Sequence, residues 1–501
     1  MTITSPANLI GSRIQLGRAA SLALVLLSTT SIAAEDARVA RHQFWSMAAP
    51  GLEIDLRGYL ATAPDMSRIY ALDCNSEDFQ CVDYDIRVFE RIRIYGVEGY
   101  TIRPEGPVGC EFEPHVDPER AKLTVSADGN WAGLVWKSGP SYLLDDWDNQ
   151  RVHGAVVDLT QPDRGCSSIA LFDAPAAIAG DIFFAGDSQT LLFGLPYQPF
   201  PIDAPEPGIT RGQLRRYALD QNATWSLETA GAQIFDGAPN QNVGFATTVV
   251  ASRDASVVAA SVPARRLKES ETQEDRFSLL GYIPEDSQRH PDLPGIDVMA
   301  GGGHQYFPFP LQELAAYRQV ELFSVRDSGA KLASSKTGDR IVSVYQERIR
   351  EQSYPVFVYT LDRGEDGWQG EAQSIPLVQC TDPEAQSVPN VFQDSPLDLK
   401  LSDDGERLAI LTVGLGGGIC LLTREEGQWL PLHTPSHELK GILTEFGYSN
   451  FNRLRLQASS DLSRMLLQMN DRVLQFDLDW QEEPETSGLP IWLLYEATRE
   501  Q

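Results

Sequence analysis

One phrase, repeated along the chain, constrains this sequence more than any other feature. It is a run of alternating apolar residues, a short turn built on Asp or Thr, and a second alternating run. The copies are "YLATAPDMSRIYAL" (59–72), "LTVSADGNWAGLVW" (123–136), "IFFAGDSQTLLFGL" (182–195), "TVVASRDASVVAAS" (248–261), "KLASSKTGDRIVSV" (331–344), "LKLSDDGERLAILT" (399–412) and "LQASSDLSRMLLQM" (456–469). The turn positions are Asp65, Asp128, Asp187, Asp254, Thr337, Asp404 and Asp461, at spacings of 63, 59, 67, 83, 67 and 57. Period-two apolar patterning on both sides of a turn reads as a β-hairpin. Asp accepts hydrogen bonds from backbone amides ahead of it, and Gly supplies positive φ. Gly129, Gly338 and Gly405 keep that glycine, whereas Met66, Ser188, Ala255 and Leu462 replace it.

A third apolar run follows the hairpins, as in "RRYALD" (215–220), "FVYTLD" (357–362), "LQFDLD" (474–479), "GAVVDLT" (154–160) and "GICLLT" (418–423). A fourth is often opened by Trp: Trp225, Trp368 and Trp429. Four strands in each of seven successive units predict an all-β fold, a seven-bladed β-propeller of four-stranded antiparallel blades. The Asp-Gly hairpin phrase resembles the repeat of TolB-like and WD40-like propellers across nearly the whole chain after its N-terminus. No Trp-Asp dipeptide closes the third strands as in WD40 repeats, and no α/β domain precedes the blades as in TolB. The resemblance therefore implies a fold and no particular activity.

Residues 1–33 read as a signal peptide: Arg13 and Arg18, then the apolar "AASLALVLL" (19–27), then small residues before Ala34. The apolar run is shorter than the ~20 residues of a membrane span. Residues 34–501 are expected to form a single exported propeller with no membrane span after cleavage. The chain of 501 residues carries a formal net charge of −29, which becomes −31 without the two leader arginines. That charge excludes nucleic acid as a partner.

Six cysteines in an exported chain suggest disulfides, with fifteen complete pairings open. Sequence favours only Cys74–Cys81, which would close the short loop "CNSEDFQC". Cys110, Cys166, Cys380 and Cys420 stay unassigned. There is no CxxC zinc spacing, no CxxCH haem site and no GxSxG elbow. Neither cofactor nor metal is expected.

In a propeller the A–B and C–D turns share one face, and the B–C and D–A connections share the other. Here the A–B turns are short, and the long segments fall on the second face: 104–120, 137–154, 196–212, 263–276 and, longest, about 298–330. Within the last, "LQELAAYRQVELF" (311–323) has the apolar spacing of a short helix. Long loops on a rigid scaffold are where binding concentrates. The candidate ligand-binding residues are Asp145, Asp146, Trp147, Asp148 and His153, with His304 and Tyr306 after a glycine run. "DDWDNQ" (145–150) offers alternating oxygen ligands but lacks the turn Gly and closing Glu of a calcium loop, so it reads as a solvated acidic loop. His115, His433 and His437 also approach this face, and His290 falls in a C–D loop on the other. "HTPSH" (433–437) holds Pro435 and reads as a loop. The expected activity is non-catalytic binding of an unknown protein, peptide or cell-envelope component. The alternative is a lactonase-like or glycan-active enzyme with its site at the axial mouth.

Overall fold

The structure, a computed structural model, describes residues 37–46, 60–77, 80–94, 97–102, 108–110, 121–138, 151–160, 168–175, 180–195, 213–228, 248–262, 295–301, 303–310, 331–346, 356–375, 377, 380, 395–413, 418–445, 454–469 and 472–480. Strand β1 (Ala37–Ser46) comes first in the chain. Blade 1 holds β2 (Leu60–Thr62), β3 (Arg68–Glu77), β4 (Gln80–Ile94) and β5 (Val97–Ile102), with β6 (Val108–Cys110) added beside β4. Blade 2 is β7 (Lys122–Val125), β8 (Trp131–Ser138), β9 (Arg151–Asp158) and β10 (Ser168–Pro175). Blade 3 is β11 (Ile182–Phe184), β12 (Thr190–Leu195), β13 (Gln213–Leu219) and β14 (Trp225–Leu227). Blade 4 is β15 (Val249–Ala251), β16 (Val257–Val262), β17 (Gly295–Ala300) and β18 (Gly303–Pro308). Blade 5 is β19 (Lys331–Ser334), β20 (Arg340–Gln346), β21 (Val356–Gly364) and β22 (Gly367–Ile375). Blade 6 is β23 (Ser395–Leu401), β24 (Arg407–Val413), β25 (Gly418–Glu425) and β26 (Gln428–Pro431). Blade 7 is β27 (Leu454–Ala458), β28 (Arg464–Met469), β29 (Arg472–Trp480) and, as its outer strand, β1.

The first strands of successive blades touch in an unbroken circuit that returns from β27 to β2, which makes the assembly a closed seven-bladed β-propeller. Two devices close it. β1 pairs antiparallel with β29 from Ala37↔Trp480 to Ser46↔Arg472. Nearer the axis, the Gln457 side chain donates to the Leu60 carbonyl at 3.0 Å, and the Leu60 N–H donates to Gln468 Oε1 at 3.1 Å.

The repeated turn is the same object seven times. In each, the residue two places before the turn position accepts the N–H three residues on and donates its own N–H to the carbonyl five residues on, as at Ser402, Gly405 and Arg407 (2.9 Å each). The residue after the turn position has positive φ in every copy: Gly129 (74°), Gly338 (72°) and Gly405 (76°), but also Met66 (55°), Ser188 (58°), Ala255 (54°) and Leu462 (56°). A non-glycine residue there costs roughly 1–2 kcal/mol. Met66, Ala255 and Leu462 are buried side chains, so apolar burial offsets the strain. In blade 5 the carboxylate sits two residues late: Asp339, rather than Thr337, accepts from Ser335 Oγ at 2.7 Å. Neighbouring turns are joined directly, Arg253 N–H to Lys336 O, Lys336 N–H to Asp403 O and Asp403 N–H to Ser460 O, at 2.6–2.9 Å.

The tryptophans that open fourth strands each pack on the preceding blade. Trp225 meets Trp131 edge-on at 5.7 Å, Trp368 meets Phe307 at 6.4 Å, and Trp429 Nε1 donates to Thr360 at 2.9 Å. Apolar clusters fill the space between blades, so the core is a ring of interfaces with no single centre.

Three expectations change. In blade 4 the third and fourth strands are 295–300 and 303–308, so the long insertion lies between β16 and β17. His290 is therefore in a B–C connection, outside the described residues, and the D–A stretch begins only after Pro308. "HTPSH" opens helix α1 (His433–Glu445), because Pro435 falls in its first turn, where no intrahelical N–H is needed. Leu439 and Leu443 anchor α1 on blades 6 and 7, and Glu438 accepts the Val39 N–H of β1 at 3.0 Å. The helix expected over 311–323 lies outside the described residues.

Cys380, on the connection entering blade 6, is bonded to Cys420 of β25, with Cα atoms 5.7 Å apart. Closing a loop of 40 residues contributes about 4 kcal/mol in the chain-entropy model. Cys74 and Cys81 lie on the paired strands β3 and β4, opposite Tyr84 and Ser76.

Candidate functional site

The B–C and D–A ends of the blades form the loop-rich face. Asp145, Asp146, Trp147 and Asp148 lie outside the described residues. His153 lies on β9 beside that connection. Its ring stacks on Trp136 at 5.3 Å and an interplanar angle of 23°. Its Nδ1 stands 3.5 Å from Asp173 Oδ1, the same oxygen that Arg151 Nε engages. Burial depresses the His153 pKa, Asp173 works against that, and Arg151 adds to it. Gly154, the next residue, is required: a Cβ there would fall 2.1 Å from the Phe172 ring.

His304 and Tyr306 do not join this group. Both sit on β18, the outer strand of blade 4, opposite Met299 and Asp297. Gly301, at φ 62°, follows β17 at the C–D end of blade 4, so His304 near the start of β18 stands toward the turn face and not on the loop-rich face where it was expected. His433 and His437 lie one turn apart on α1. Among the described residues no group of three or more His, Cys, Asp or Glu side chains is placed to hold a metal ion.

A second group, missed in the sequence, sits at the axis. Counting six residues back from each turn position gives Lys122, Asp181, Thr248, Lys331, Asp398 and Arg455 in blades 2 to 7. Lys122, Asp181, Thr248, Lys331 and Arg455 lie at or beside the start of an innermost strand and Asp398 three residues into β23, so together they border the axial mouth on the loop-rich face. Asp398 is re-aimed by a β-bulge between Pro396 and Asp398. Its Oδ1 accepts the Leu399 N–H at 2.8 Å, and its Oδ2 accepts the Leu456 N–H of blade 7 at 2.9 Å. Lys400 Nζ stands 3.5 Å from Oδ1. Burial alone would raise the Asp398 pKa. Lys400, the Leu456 amide, Arg455 and Lys331 together hold it below the ordinary carboxylate value. Asp181 is the counterpart in blade 3: Lys122 of blade 2 approaches it at 3.9 Å, and it accepts the Val249 N–H of blade 4 at 3.4 Å. Aligning the seven copies at their turns and reading down the column six places upstream would have found this girdle.

No family model matches the sequence, and no curated protein matches it. Solved structures do resemble it. The β-propeller domain of the Trilobed protease from Pyrococcus furiosus is 11% identical over 85% of this chain and 98% of that one, with a TM-score of 0.37. The periplasmic gluconolactonase PpgL of Pseudomonas aeruginosa is 13% identical over 83% and 98%, with a TM-score of 0.39. TolB from Acinetobacter baumannii is 10% identical over 63% of this chain and 53% of its own, with a TM-score of 0.28. The seven sheets and their closed circuit define the class of protein, a seven-bladed β-propeller, and its likeness to TolB and other propellers is one of fold.

Proposed function

We propose that this chain is an exported, non-catalytic propeller that binds a protein, peptide or cell-envelope ligand through its loop-rich face. The observation that carries the reading is the asymmetry of the two faces. On one, turns of six residues hydrogen-bond to themselves and to each other. On the other, the long connections emerge beside a charged axial mouth. The Cys380–Cys420 bond supports an oxidising compartment, and the leader-like residues 1–33 support export. Among the described residues no helix is long and apolar enough to cross a membrane.

A photo-crosslinking residue placed at Asp173 on the loop-rich face, or at Glu426 on the turn face, tests the proposal in the cells that make the protein. A discrete adduct from position 173 and none from 426 is the expected result. Adducts from neither position, or from 426 alone, would reject it.

An enzyme with an axial site is the second reading, favoured by the convergence of Lys331, Asp398, Lys400 and Arg455 at the mouth. Turnover of a lactone or glycan by the purified protein, abolished by Asp398→Asn, would replace the first reading with this one.

A further inference from the structure

The rim of the ring is made of outermost strands, and the outer edge of each carries a row of backbone N–H and C=O groups. Most of these edges are short, interrupted or capped. β14 has three residues and β5 six. β10 shifts register between Ala170 and Phe172 and ends in Pro175, and β18 ends in Pro308. β1 is bulged between Val39 and Arg41, and Glu438 takes its Val39 N–H. On β26 one side chain engages both main-chain groups of Trp429. Gln373 Oε1 accepts the N–H at 2.7 Å, and Gln373 Nε2 donates to the carbonyl at 2.6 Å. Short strands, prolines, bulges and covering groups are the devices that keep an edge from pairing with another chain.

The outer strand of blade 5 has none of them. β22 pairs with β21 residue for residue from Val356↔Ile375 to Gly364↔Gly367, with no shift over nine residues. Its sequence, "GWQGEAQSI", holds no Pro, Lys or Arg. Among the described residues no strand pairs with its outer edge, and Gln369, Gly370, Glu371 and Ser374 are exposed. Its two sides differ. Trp368 and Ala372 lean on the apolar cluster between blades 4 and 5, with the Trp368 ring 6.4 Å from Phe307. Glu371 and Gln373 turn the other way, to Gln428 and Trp429 of blade 6. An added strand would pass an apolar patch with one set of alternate side chains and a carboxylate with the other. Glu365 and Asp366, exposed in the turn that opens β22, add negative charge at one end. Full-length antiparallel pairing of β22 with a second copy would put Glu371 opposite Glu371, which is destabilising. The formal net charge of −29 likewise favours a basic partner.

We propose that the outer edge of β22 is a docking site for an extended basic segment of a partner protein, which adds to blade 5 as a further strand. The main chain of that segment pairs with β22, its apolar side chains lie beside Trp368 and Ala372, and its Lys or Arg side chains reach Glu371. The site is on the rim, so it goes beyond the loop-face proposal and does not depend on it.

A synthetic peptide of alternating lysine and valine is the probe, with fluorescence anisotropy for affinity and amide hydrogen exchange for place. The intact protein should bind it saturably, and exchange in β22 should slow by about tenfold or more. Two control peptides should bind about tenfold more weakly: one with glutamate for lysine, which has the wrong charge, and one with proline for valine, which lacks main-chain donors. Glu371→Lys should weaken binding by about tenfold, and Ser374→Lys by less. Leu227→Lys, on the exposed rim of blade 3, should leave it unchanged. If a variant fails to fold by circular dichroism, the proline peptide on the wild-type protein decides. No binding, equal binding of the proline peptide, or protection outside β22 overturns the site. So does a dimer in ultracentrifugation that Ser374→Lys dissolves, because a second copy would then occupy the edge. The adduct from position 173 should persist in Glu371→Lys, which keeps the failure of either proposal distinct from that of the other.

Discussion

Two aspartates six residues apart on one stretch of chain do different work. Asp404 sits in the blade 6 turn. It accepts the Ser402 hydroxyl and, at 3.0 Å, the Glu406 N–H, so its partners lie within two residues. Asp398 begins the same pass through the blade, but its partners come from blades 5, 6 and 7. The first aspartate shapes its own chain, and the second ties separate blades together. The same contrast separates the two faces of the ring. On the turn face each hairpin completes its own hydrogen bonds and also meets its neighbours through backbone bonds, whereas at the loop-rich end the Asp398 and Asp181 side chains accept N–H groups from the next blade.

The closing strand is the most distant contact of all, and removing it should have the largest effect. Deleting Ala37–Ser46 leaves the edge of β29 unpaired and strips α1 of a partner. The loss should be on the order of 5 kcal/mol, with aggregation through the freed edge. Denaturant unfolding of the shortened and intact proteins measures it. A deletion that costs under ~1 kcal/mol would mean that the axial glutamines alone close the ring.

The two aspartates can be set against each other directly. Asp398→Asn keeps the shape but removes the buried charge that faces Lys400, and should cost about 3 kcal/mol. Asp404→Asn keeps an oxygen for the same local donors and should cost less than ~1 kcal/mol. The folded-state pKa of Asp398 lies below its unfolded value, so its contribution is full above that unfolded value. It is lost as pH falls through the unfolded and then the depressed folded pKa. Wild-type protein should therefore lose stability on acidification through the carboxylate range, and Asp398→Asn should lose less. Asp254, whose carboxyl is lowered to about 2 by Ser256 and Ser252, gives a local benchmark for the same titration by NMR.

This contrast also explains what could be read from the sequence. The hairpins were legible because each turn is complete within six residues, so the same short string carries its own hydrogen bonds. Even Met66, Ala255 and Leu462 did not hide the pattern, because the flanking alternation survives. The role of β1 was not legible, since Ala37 pairs with Trp480 at the other end of the fold. Blade 4 was misplaced because its insertion splits β16 from β17, and apolar runs inside an insertion look like strands. The girdle was overlooked because it is a column through six of the seven repeats whose members differ in charge. His153 was picked out as a titratable residue beside a long loop; its flat contact with Trp136 needed coordinates.

Within the turns, glycine should matter by position. At Gly338 the φ is 72° and a Cβ would stand 2.6 Å from Ser252 Cβ of blade 4. Gly338→Ala should therefore cost about 2 kcal/mol, part from φ and part from the blade contact. Ala255→Gly relieves the same strain at φ 54° but removes a buried methyl, and should change stability by less than ~0.5 kcal/mol. Thermal unfolding of both variants separates the two contributions. A gain from Ala255→Gly equal in size to the loss from Gly338→Ala would mean that backbone strain alone governs the turns.

The smallest effect is expected where the loop-rich face approaches local behaviour, at His153. The groups facing it are Asp173 and Arg151, both within blade 2, and the Trp136 ring beneath it. Its folded-state pKa lies below the ordinary value of 6.5, with burial the main cause. The neutral ring is thus the form that folding favours, and its contribution is complete above 6.5 and declines as pH falls below it. His153→Phe preserves a flat ring on Trp136 and removes the titration. At pH 8 the variant should match wild type within ~0.5 kcal/mol. Between pH 6.5 and 5, wild type should lose stability that the variant keeps. If the two curves stay parallel, His153 titrates alike in folded and unfolded chains. Its burial against Trp136 would then be too shallow to matter.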